Sequence, residues 1–263
     1  MPSISAATVV LSGHTDRVAP ALERFRAVAE RHGVRVVEDE DDPQLAIVLG
    51  GDGTMLRALA RFRGRDVPVL GVNFGRVGFL TTIAPDDMER DLGRVFAGEV
   101  AVIRLPTIEI EVGGETHVAV NDAVITSGTV GRIVELDYRL GDEDLGSQRC
   151  DGLVCATPQG STAYNLSNGG PVLVWGLDAM VLTFVAPHSL HVRPLVVPRG
   201  PSLTVRNHSS DVPTTVLADG HEVASLEPGE RATLRIGAGD AQLATLPDVT
   251  FFTRYAAAFG RQA

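Results

Sequence analysis

The sequence contains no lysine, because all 23 of its basic residues are arginine. This absence excludes two classes of enzyme. A Walker-type phosphate loop needs a lysine after its glycines, and a pyridoxal phosphate enzyme needs a lysine for its Schiff base. Any phosphate chemistry in this chain must therefore depend on backbone N–H groups, arginine or a metal ion.

Cysteine is also scarce. Cys150 and Cys155 lie five residues apart in what the pattern predicts as one extended segment, so we expect their side chains on opposite faces and unpaired. Two cysteines alone do not make a zinc site, and their small number fits a reducing compartment. The sequence shows neither a signal-peptide pattern nor an apolar run of membrane-spanning length. We therefore expect a cytoplasmic protein that is neither secreted nor membrane-bound.

Excess positive charge is absent too, since the formal net charge is −10. Surfaces that bind nucleic acid or anionic membranes need clustered positive charge, so we expect neither partner. A small anionic ligand in a local arginine pocket remains compatible with this charge. With 263 residues and 44% hydrophobic content, the chain is long enough for one large domain or two modest ones.

The first hundred residues alternate strand and helix patterns. Apolar runs at 7–12, 34–37, 44–49 and 67–72 predict strands, and helical spacing predicts helices over 20–32, 55–62 and 85–96. This alternation is typical of a parallel sheet covered on both faces. We therefore predict a Rossmann-like α/β domain over residues 1–100.

From about residue 101 the pattern changes to short β-rich runs. These runs are 103–112, 116–125, 133–140, 147–156, 202–206, 214–217, 222–226 and 231–236. The Asp219-Gly220 pair predicts a hairpin turn, and 158–167 predicts a loop leading into a short helix. We therefore predict a mostly antiparallel all-β domain over 101–244, with the segment from about 245 to 263 packing back on the first domain.

The residues Gly50-Gly51-Asp52-Gly53-Thr54 follow a predicted buried strand and open a predicted helix. Glycines allow close approach of a phosphate, and free N–H groups at a helix start attract it. The dinucleotide-binding fingerprint fails here because its third glycine would fall on Leu56. A tight capped turn is the structural alternative. The functional interpretation is a phosphate-binding turn, Gly50, Gly51, Gly53 and Thr54, with Asp52 placed to take a proton from an attacking hydroxyl.

Several separated blocks resemble the NAD kinase family along nearly the whole chain. They are Gly50 to Thr54, Asn73 to Leu80, Asn121-Asp122, Arg149 to Gly152, Ala156 to Tyr164 and Ser167 to Pro171. The first block is shared with lipid kinases, and phosphofructokinases carry a close variant, but the run ending at Pro171 is absent from both. The chain departs from the family pattern at Asp122, Gln159, Asn168 and His221.

The resemblance implies phosphoryl transfer from ATP or polyphosphate, with Mg²⁺, to the adenosine-ribose 2′-hydroxyl of NAD. Asp52 would accept the hydroxyl proton. The residues implied to bind NAD are Asp52, Gly53, Arg57, Asn73, Phe74, Asn121, Asp122, Arg132, Arg149, Asp151, Thr162, Ala163, Tyr164, Asn165, Leu166, Ser167 and His221. The family also implies a homodimer or homotetramer, and the metal ligands are not identified.

Two alternatives stay open from the sequence. One is a lipid or sugar-phosphate kinase of the same superfamily, and the other is a nucleotide sensor without catalysis.

Overall fold

The computed structural model of the chain describes residues 2–13, 15–75 and 78–260. The chain divides into two compact units, residues 1–104 with 241–263 and residues 105–240. Across these described residues, no helix combines the length and the apolar character needed to cross a membrane.

The strands are β1 (Ala6–Leu11), β2 (Arg35–Val36), β3 (Leu45–Gly50), β4 (Val69–Asn73), β5 (Ala101–Leu105), β6 (Ile108–Val112), β7 (Glu115–Ala119), β8 (Asp122–Ser127), β9 (Val134–Leu140), β10 (Glu143–Cys150), β11 (Gly152–Ala156), β12 (Ala179–Val185), β13 (Leu195–Pro198), β14 (Leu203–Asn207), β15 (Thr214–Ala218), β16 (His221–Leu226), β17 (Arg231–Ile236) and β18 (Ala241–Thr245). The helices are α1 (Thr15–Arg31), α2 (Asp52–Arg61), α3 (Met88–Phe96), α4 (Tyr164–Ser167) and α5 (Phe251–Phe259). Short 3₁₀ segments cover Pro85–Asp87 and Gly160–Thr162.

The first unit is built on a six-stranded sheet in the order β2-β1-β3-β4-β18-β5. Strand β1 pairs in parallel with β2 and β3, and β4 pairs in parallel with β3 and β18. All six residues of β3 are buried, as expected for a central parallel strand. The predicted α/β N-terminal domain with a mostly parallel sheet is therefore confirmed.

The second unit contains two six-stranded sheets, β10-β9-β14-β17-β6-β7 and β13-β12-β11-β8-β15-β16. Neighbouring strands in both sheets run antiparallel. Ile110 of β6 and Ile125 of β8 belong to one buried cluster to which both sheets contribute. The two sheets thus pack as a sandwich, which confirms the predicted antiparallel β fold. The predicted hairpin turn at Asp219 is also confirmed, between β15 and β16.

Three runs predicted as single strands are each two strands in the structure: 103–112, 116–125 and 147–156. The breaks fall at Pro106, at Asn121 and at Asp151. In each case the two halves belong to different sheets. At Asn121 and Asp151 the apolar pattern continues through the corner, because the core of the sandwich accepts side chains from both of its sheets. The sequence marks only the break at Pro106, which lacks an N–H to donate.

Other elements begin elsewhere than the pattern predicts. Helix α1 begins at Thr15, so Pro20 lies inside it, and α2 begins at Asp52 rather than at residue 55. Strands β12 and β13 were not among the predicted runs, and helix α5 was not predicted as an element.

The two cysteines are free, but the predicted geometry is wrong. Cys150 ends β10 and Cys155 lies in β11, so the chain changes sheets between them at Asp151. Both thiols therefore enter the same buried core instead of facing opposite sides. Burial raises the pKa of each thiol to about 12, so neither is a ready nucleophile.

Candidate functional site

The turn from Gly50 to Thr54 joins β3 to α2 in the first unit. Gly50 ends the buried strand and Asp52 is the first residue of the helix. The unpaired N–H groups of the helix start therefore lie at the carboxyl end of a central parallel strand. This arrangement favours an anion, which is the property that the sequence predicts for the turn.

The three glycines of the turn differ in how much space surrounds the position of a Cβ atom. A Cβ on Gly50 would lie 2.8 Å from the hydroxyl oxygen of Thr54, whereas a Cβ on Gly51 would come no closer than 3.5 Å to the Cα of Gly75, an ordinary contact. Packing thus requires Gly50 to be small, while Gly51 has room for a Cβ among the described residues. A Cβ on Gly53 would meet no atom within 4 Å in the described part of the chain. Of the three glycines, Gly53 leaves the most open space among the described residues, at the helix start where a phosphate would approach.

The carboxylate of Asp52 is fixed by the segment that follows Gly78. It accepts hydrogen bonds from the backbone N–H groups of Phe79 (2.7 Å), Leu80 (3.2 Å) and Thr81 (3.2 Å). The Thr81 hydroxyl donates a further bond of 3.3 Å. A Cβ on Gly78 would lie 2.2 Å from the carboxylate, so only glycine fits there. The predicted catalytic side chain therefore has one defined orientation.

Helix α5 contacts the same segment, although the two lie far apart in the sequence. The guanidinium of Arg254 donates a hydrogen bond to the carbonyl oxygen of Gly78. The ring of Phe79 stacks on Phe259, with 5.7 Å between centroids and 30° between planes. Burial lowers the pKa of Arg254, and the negative charge of Asp52 opposes that shift. The only signal in the sequence is an arginine among aromatic residues near the end of the chain.

The loop after β4 runs beside the glycine turn. The backbone N–H of Phe74 donates to the carbonyl oxygen of Gly50 (2.9 Å), and the side-chain oxygen of Asn73 accepts from the N–H of Gly75 (3.0 Å). Asn73 and Phe74 were predicted to bind NAD, and the structure places both next to the turn. Residues 76–77 of this block lie outside the described residues.

Arg57 lies one turn into α2 and is exposed. Its nearest recorded partner is the hydroxyl of Thr54, at a long 3.4 Å. Its guanidinium is therefore available to an anion on the side of the helix that carries the turn.

A buried acidic pair lies in the second unit beside Asn121. The carboxylate of Asp219 accepts hydrogen bonds from the N–H groups of Val120 (2.8 Å), Asn121 (2.6 Å) and Asp122 (3.2 Å). Burial first, and the charge of Asp219 second, raise the pKa of Asp122 to about 7. The side-chain oxygen of Asn121 is buried with no donor among the described residues. It can accept a hydrogen bond from a ligand.

The loop from Thr157 onward holds Asn121 in place. The Thr157 hydroxyl donates to the carbonyl oxygens of Val120 (2.7 Å) and Asn121 (3.0 Å). A Cβ on Gly160 would lie 2.0 Å from the carbonyl oxygen of Asn121. Gln159, a departure from the family pattern, donates from its amide to the Val120 carbonyl oxygen (2.6 Å). The family-like residues here support the backbone around Asn121.

The segment 162–167 contains both exposed and buried residues. Tyr164 is 45% exposed, so its ring is available to a base. Asn165 is fully buried, and its amide donates to the carbonyl oxygen of Ser161 (2.9 Å) and accepts from the Thr183 hydroxyl (2.7 Å). Its side chain is thus engaged within the protein. Ser167 is exposed, and the remaining residues of the segment, Thr162, Ala163 and Leu166, are half-buried.

Three of the predicted residues lie away from Asn121. Strand β8 pairs Asp122 with Ala156 at one end and Thr126 with Gly152 at the other. Asp151 precedes Gly152 and therefore lies ~17 Å along the strand from Asp122, from five residue spacings. The structure separates Asp151 from Asn121 within one chain.

Arg132 and Arg149 share the end of the sandwich that carries Asp151. They line a cleft of ≈ 350 Å³, in which Arg132 forms an ion pair with Asp211 (3.0 Å). His221 instead is exposed at the start of β16, two residues after Asp219, whose carboxylate accepts from the N–H of Asn121. The predicted residues of this unit therefore form two groups, at opposite ends of the central strands.

Two family models match the chain. The ATP-NAD kinase N-terminal domain matches residues 10–100, and the ATP-NAD kinase C-terminal domain matches residues 120–246. The chain belongs to the NAD kinase family. The resemblance found in the sequence is thereby confirmed, and the lipid or sugar-phosphate kinase alternative is not favoured.

Relatives in the family are similar over most of their length. The NAD kinase of Gemmatimonas aurantiaca is 37% identical over 90% of this chain and 86% of its own. The NAD kinase of Nitratidesulfovibrio vulgaris is 37% identical over 94% and 93%. A solved NAD kinase from Archaeoglobus fulgidus in complex with ATP superimposes with a TM-score of 0.79 at 26% identity, over 97% of each chain. Yeast NADH kinase complexed with NADH shares the fold, with a TM-score of 0.84 at 20% identity over 100% of this chain and 89% of its own.

Proposed function

We propose that this chain transfers the terminal phosphate of ATP, or of inorganic polyphosphate, to the 2′-hydroxyl of the adenosine ribose of NAD. The observation that carries the proposal is the fixed Asp52 carboxylate at a phosphate-type helix start, in a chain of the NAD kinase family. The Archaeoglobus relative was solved with ATP and the yeast NADH kinase with NADH, which supports ATP and a nicotinamide dinucleotide as ligands.

Asp52 acts in this proposal as the general base. Phosphoryl transfer depends mainly on positioning and on charge neutralisation, so the N–H groups at the start of α2 would bind the donor phosphates. The carboxylate already accepts from three backbone N–H groups and from the Thr81 hydroxyl. The bond from the Thr81 hydroxyl, at 3.3 Å, is longer than the shortest bond from each of the three N–H groups. We therefore expect the substrate hydroxyl to replace the Thr81 hydroxyl and to release its proton to Asp52.

In the second unit, Asn121, Asp122 and Tyr164 are proposed to bind the dinucleotide. The buried, unmatched oxygen of Asn121 and the exposed ring of Tyr164 support these roles. For Asn165, whose amide is occupied by Ser161 and Thr183, we propose backbone contact only.

Mg²⁺ is proposed as the companion of the donor phosphates, whose charge it would neutralise. Among residues 2–13, 15–75 and 78–260, no cluster of three His, Cys, Asp or Glu side chains could hold a metal ion. Binding mainly through phosphate oxygens and water fits this residue set, and it is the usual mode for Mg²⁺.

We further propose a homodimer or homotetramer. The separation of Arg132, Arg149 and Asp151 from Asn121 supports it, because a second copy could bring its own arginine end to the dinucleotide.

The test is incubation of the purified protein with NAD, Mg²⁺ and either ATP or polyphosphate, followed by a coupled enzymatic assay for NADP. Diacylglycerol and fructose 6-phosphate serve as control acceptors. We expect NADP and no phosphorylated control. Calorimetric binding of NAD without NADP from any donor would instead establish the sensor alternative.

A further inference from the structure

Helix α5 lies outside both family-matched ranges, 10–100 and 120–246, yet it contacts the segment that fixes Asp52. Its start is well defined: the N–H of Thr253 donates to the hydroxyl oxygen of Thr250, and the N–H of Thr250 donates to that of Thr253. Arg254 therefore occupies a fixed position in the first turn of α5.

Two kinds of contact join α5 to the segment 78–81. Arg254 donates to the carbonyl oxygen of Gly78, and the ring of Phe79 packs against Phe251 (6.2 Å between centroids) and Phe259 (5.7 Å). The N–H groups on the other side of the same segment donate to Asp52. The segment thus lies between the helix and the carboxylate, in contact with both.

We propose that Arg254 is a positioning residue for phosphoryl transfer, which holds segment 78–81 so that its N–H groups orient the Asp52 carboxylate. This proposal rests on the proposed function of Asp52. The guanidinium suits the role because its planar fork directs donors at fixed angles, whereas an ammonium does not. The Nε of Arg254 is buried and has no acceptor in the described part of the chain. A buried donor without an acceptor is unfavourable, so the position of this side chain is explained by its contact with Gly78 and not by full hydrogen bonding of the guanidinium.

Arg254→Met removes the charge and the donors but keeps an apolar side chain in the same space. Arg254→Lys keeps the charge but has a single donor nitrogen in place of the planar fork. Arg26→Met is the matched control, because Arg26 is an exposed arginine whose ion pair is with Glu23 on its own helix. Each variant is assayed for kcat and KM, and its backbone amides are followed by hydrogen exchange with NMR detection.

For Arg254→Met we expect kcat to fall about 10–100-fold while the KM values for NAD and ATP change less than about 3-fold, because misplacement affects the transition state more than ground-state binding. The amides of Phe79, Leu80 and Thr81 should exchange about tenfold faster, and those of β3 should not change. Arg254→Lys should recover part of both effects, and Arg26→Met should match the wild type.

Unchanged exchange at residues 79–81 in Arg254→Met overturns the proposal. Faster exchange throughout β3 also overturns it, since the role would then be general stability. Faster local exchange with unchanged kcat overturns the catalytic part. If the wild type itself makes no NADP, the proposed function fails, and the exchange result still decides whether Arg254 holds the segment.

Discussion

At the scale of single residues, Asp52 is both the proposed base and a structural anchor. Its carboxylate accepts three backbone N–H bonds from residues 79–81, and hydrogen bonds to a charged group contribute about 1.5–3 kcal/mol each. An amide in its place keeps one acceptor oxygen and turns an NH₂ group toward the remaining donors. Loss of this residue should therefore affect both rate and stability.

We expect Asp52→Asn to fold but to lose about 10²–10⁴-fold in kcat, the usual share of a general base. Its free energy of unfolding should fall by about 1–3 kcal/mol because the N–H donors lose a charged acceptor. Coupled NADP assays and urea unfolding measure the two effects. Asp66→Asn, at an exposed position outside the turn, is the control. Turnover near that of the wild type would remove Asp52 from the role of base.

The buried pair Asp122 and Asp219 predicts a pH dependence of stability. Burial and the charge of Asp219 raise the pKa of Asp122 from 3.8 in the unfolded chain to about 7 in the fold. Between these values the folded protein holds a proton that the unfolded chain has released. The free energy of unfolding therefore falls as pH rises from about 4 to about 7, and a neutral amide at this position escapes that loss.

We expect the stability of Asp122→Asn relative to the wild type to increase by on the order of 1–4 kcal/mol between pH 4.5 and pH 8. Urea unfolding at the two pH values measures it. Asp142→Asn, at an exposed position, is the control, and its stability relative to the wild type should be the same at both pH values. Parallel pH curves for Asp122→Asn and the wild type would contradict the raised pKa.

At the scale of elements, two glycines of the turn have different roles: Gly50 is needed for packing, and Gly53 is proposed to leave space for a phosphate. We expect Gly53→Ala to keep the free energy of unfolding within about 1 kcal/mol, because alanine is the better helix former and its Cβ would meet no atom of the described residues within 4 Å. The KM for ATP should rise about tenfold or more, since the methyl group occupies the space of a phosphate. Gly50→Ala, whose Cβ would lie 2.8 Å from Thr54, should instead cost about 1–3 kcal/mol of stability. An unchanged KM for ATP in Gly53→Ala would show that phosphate does not approach there.

In the first unit, local pattern predicts β1, β3 and β4 because each is followed by a helix of different period, but it misses β18 and α5. It fails in the second unit at Asn121 and Asp151, where the chain turns from one sheet to the other while its side chains stay in one core. Strand β12 carries the run Ala179–Val185, which is apolar except for Thr183, so the sequence does contain a signal for this strand.

The candidate site, too, could be predicted from the sequence only in part. Sequence predicts Asp52, Asn121 and Tyr164, because their blocks are compact and distinctive. Arg254 was not predictable, since its relation to Asp52 depends on a contact between residues 176 positions apart at Gly78. No local spacing encodes such a contact.

At the scale of the whole molecule, the two groups of predicted binding residues lie at opposite ends of β8 and β11. One group contains Asn121 and Tyr164, and the other contains Arg132, Arg149 and Asp151. If both groups bind one dinucleotide, the second must come from another copy of the chain. A homo-oligomer with shared sites has a distinctive consequence, because two inactive variants can then combine into an active pair.

We expect Asn121→Ala and Arg149→Ala to be nearly inactive alone and to regain activity when the two are co-expressed and purified together through a tag that both carry. In a symmetric dimer mixed at random, half of the pairs are hybrids and each hybrid has one intact site of two, so about a quarter of wild-type activity should return. Asn121→Ala mixed with Tyr164→Ala is the matched control, since both changes affect the same group and no intact site forms. Light scattering should show an even number of copies for every variant. A monomer, or a mixture no more active than its parts, would mean that each chain binds the dinucleotide with one group alone.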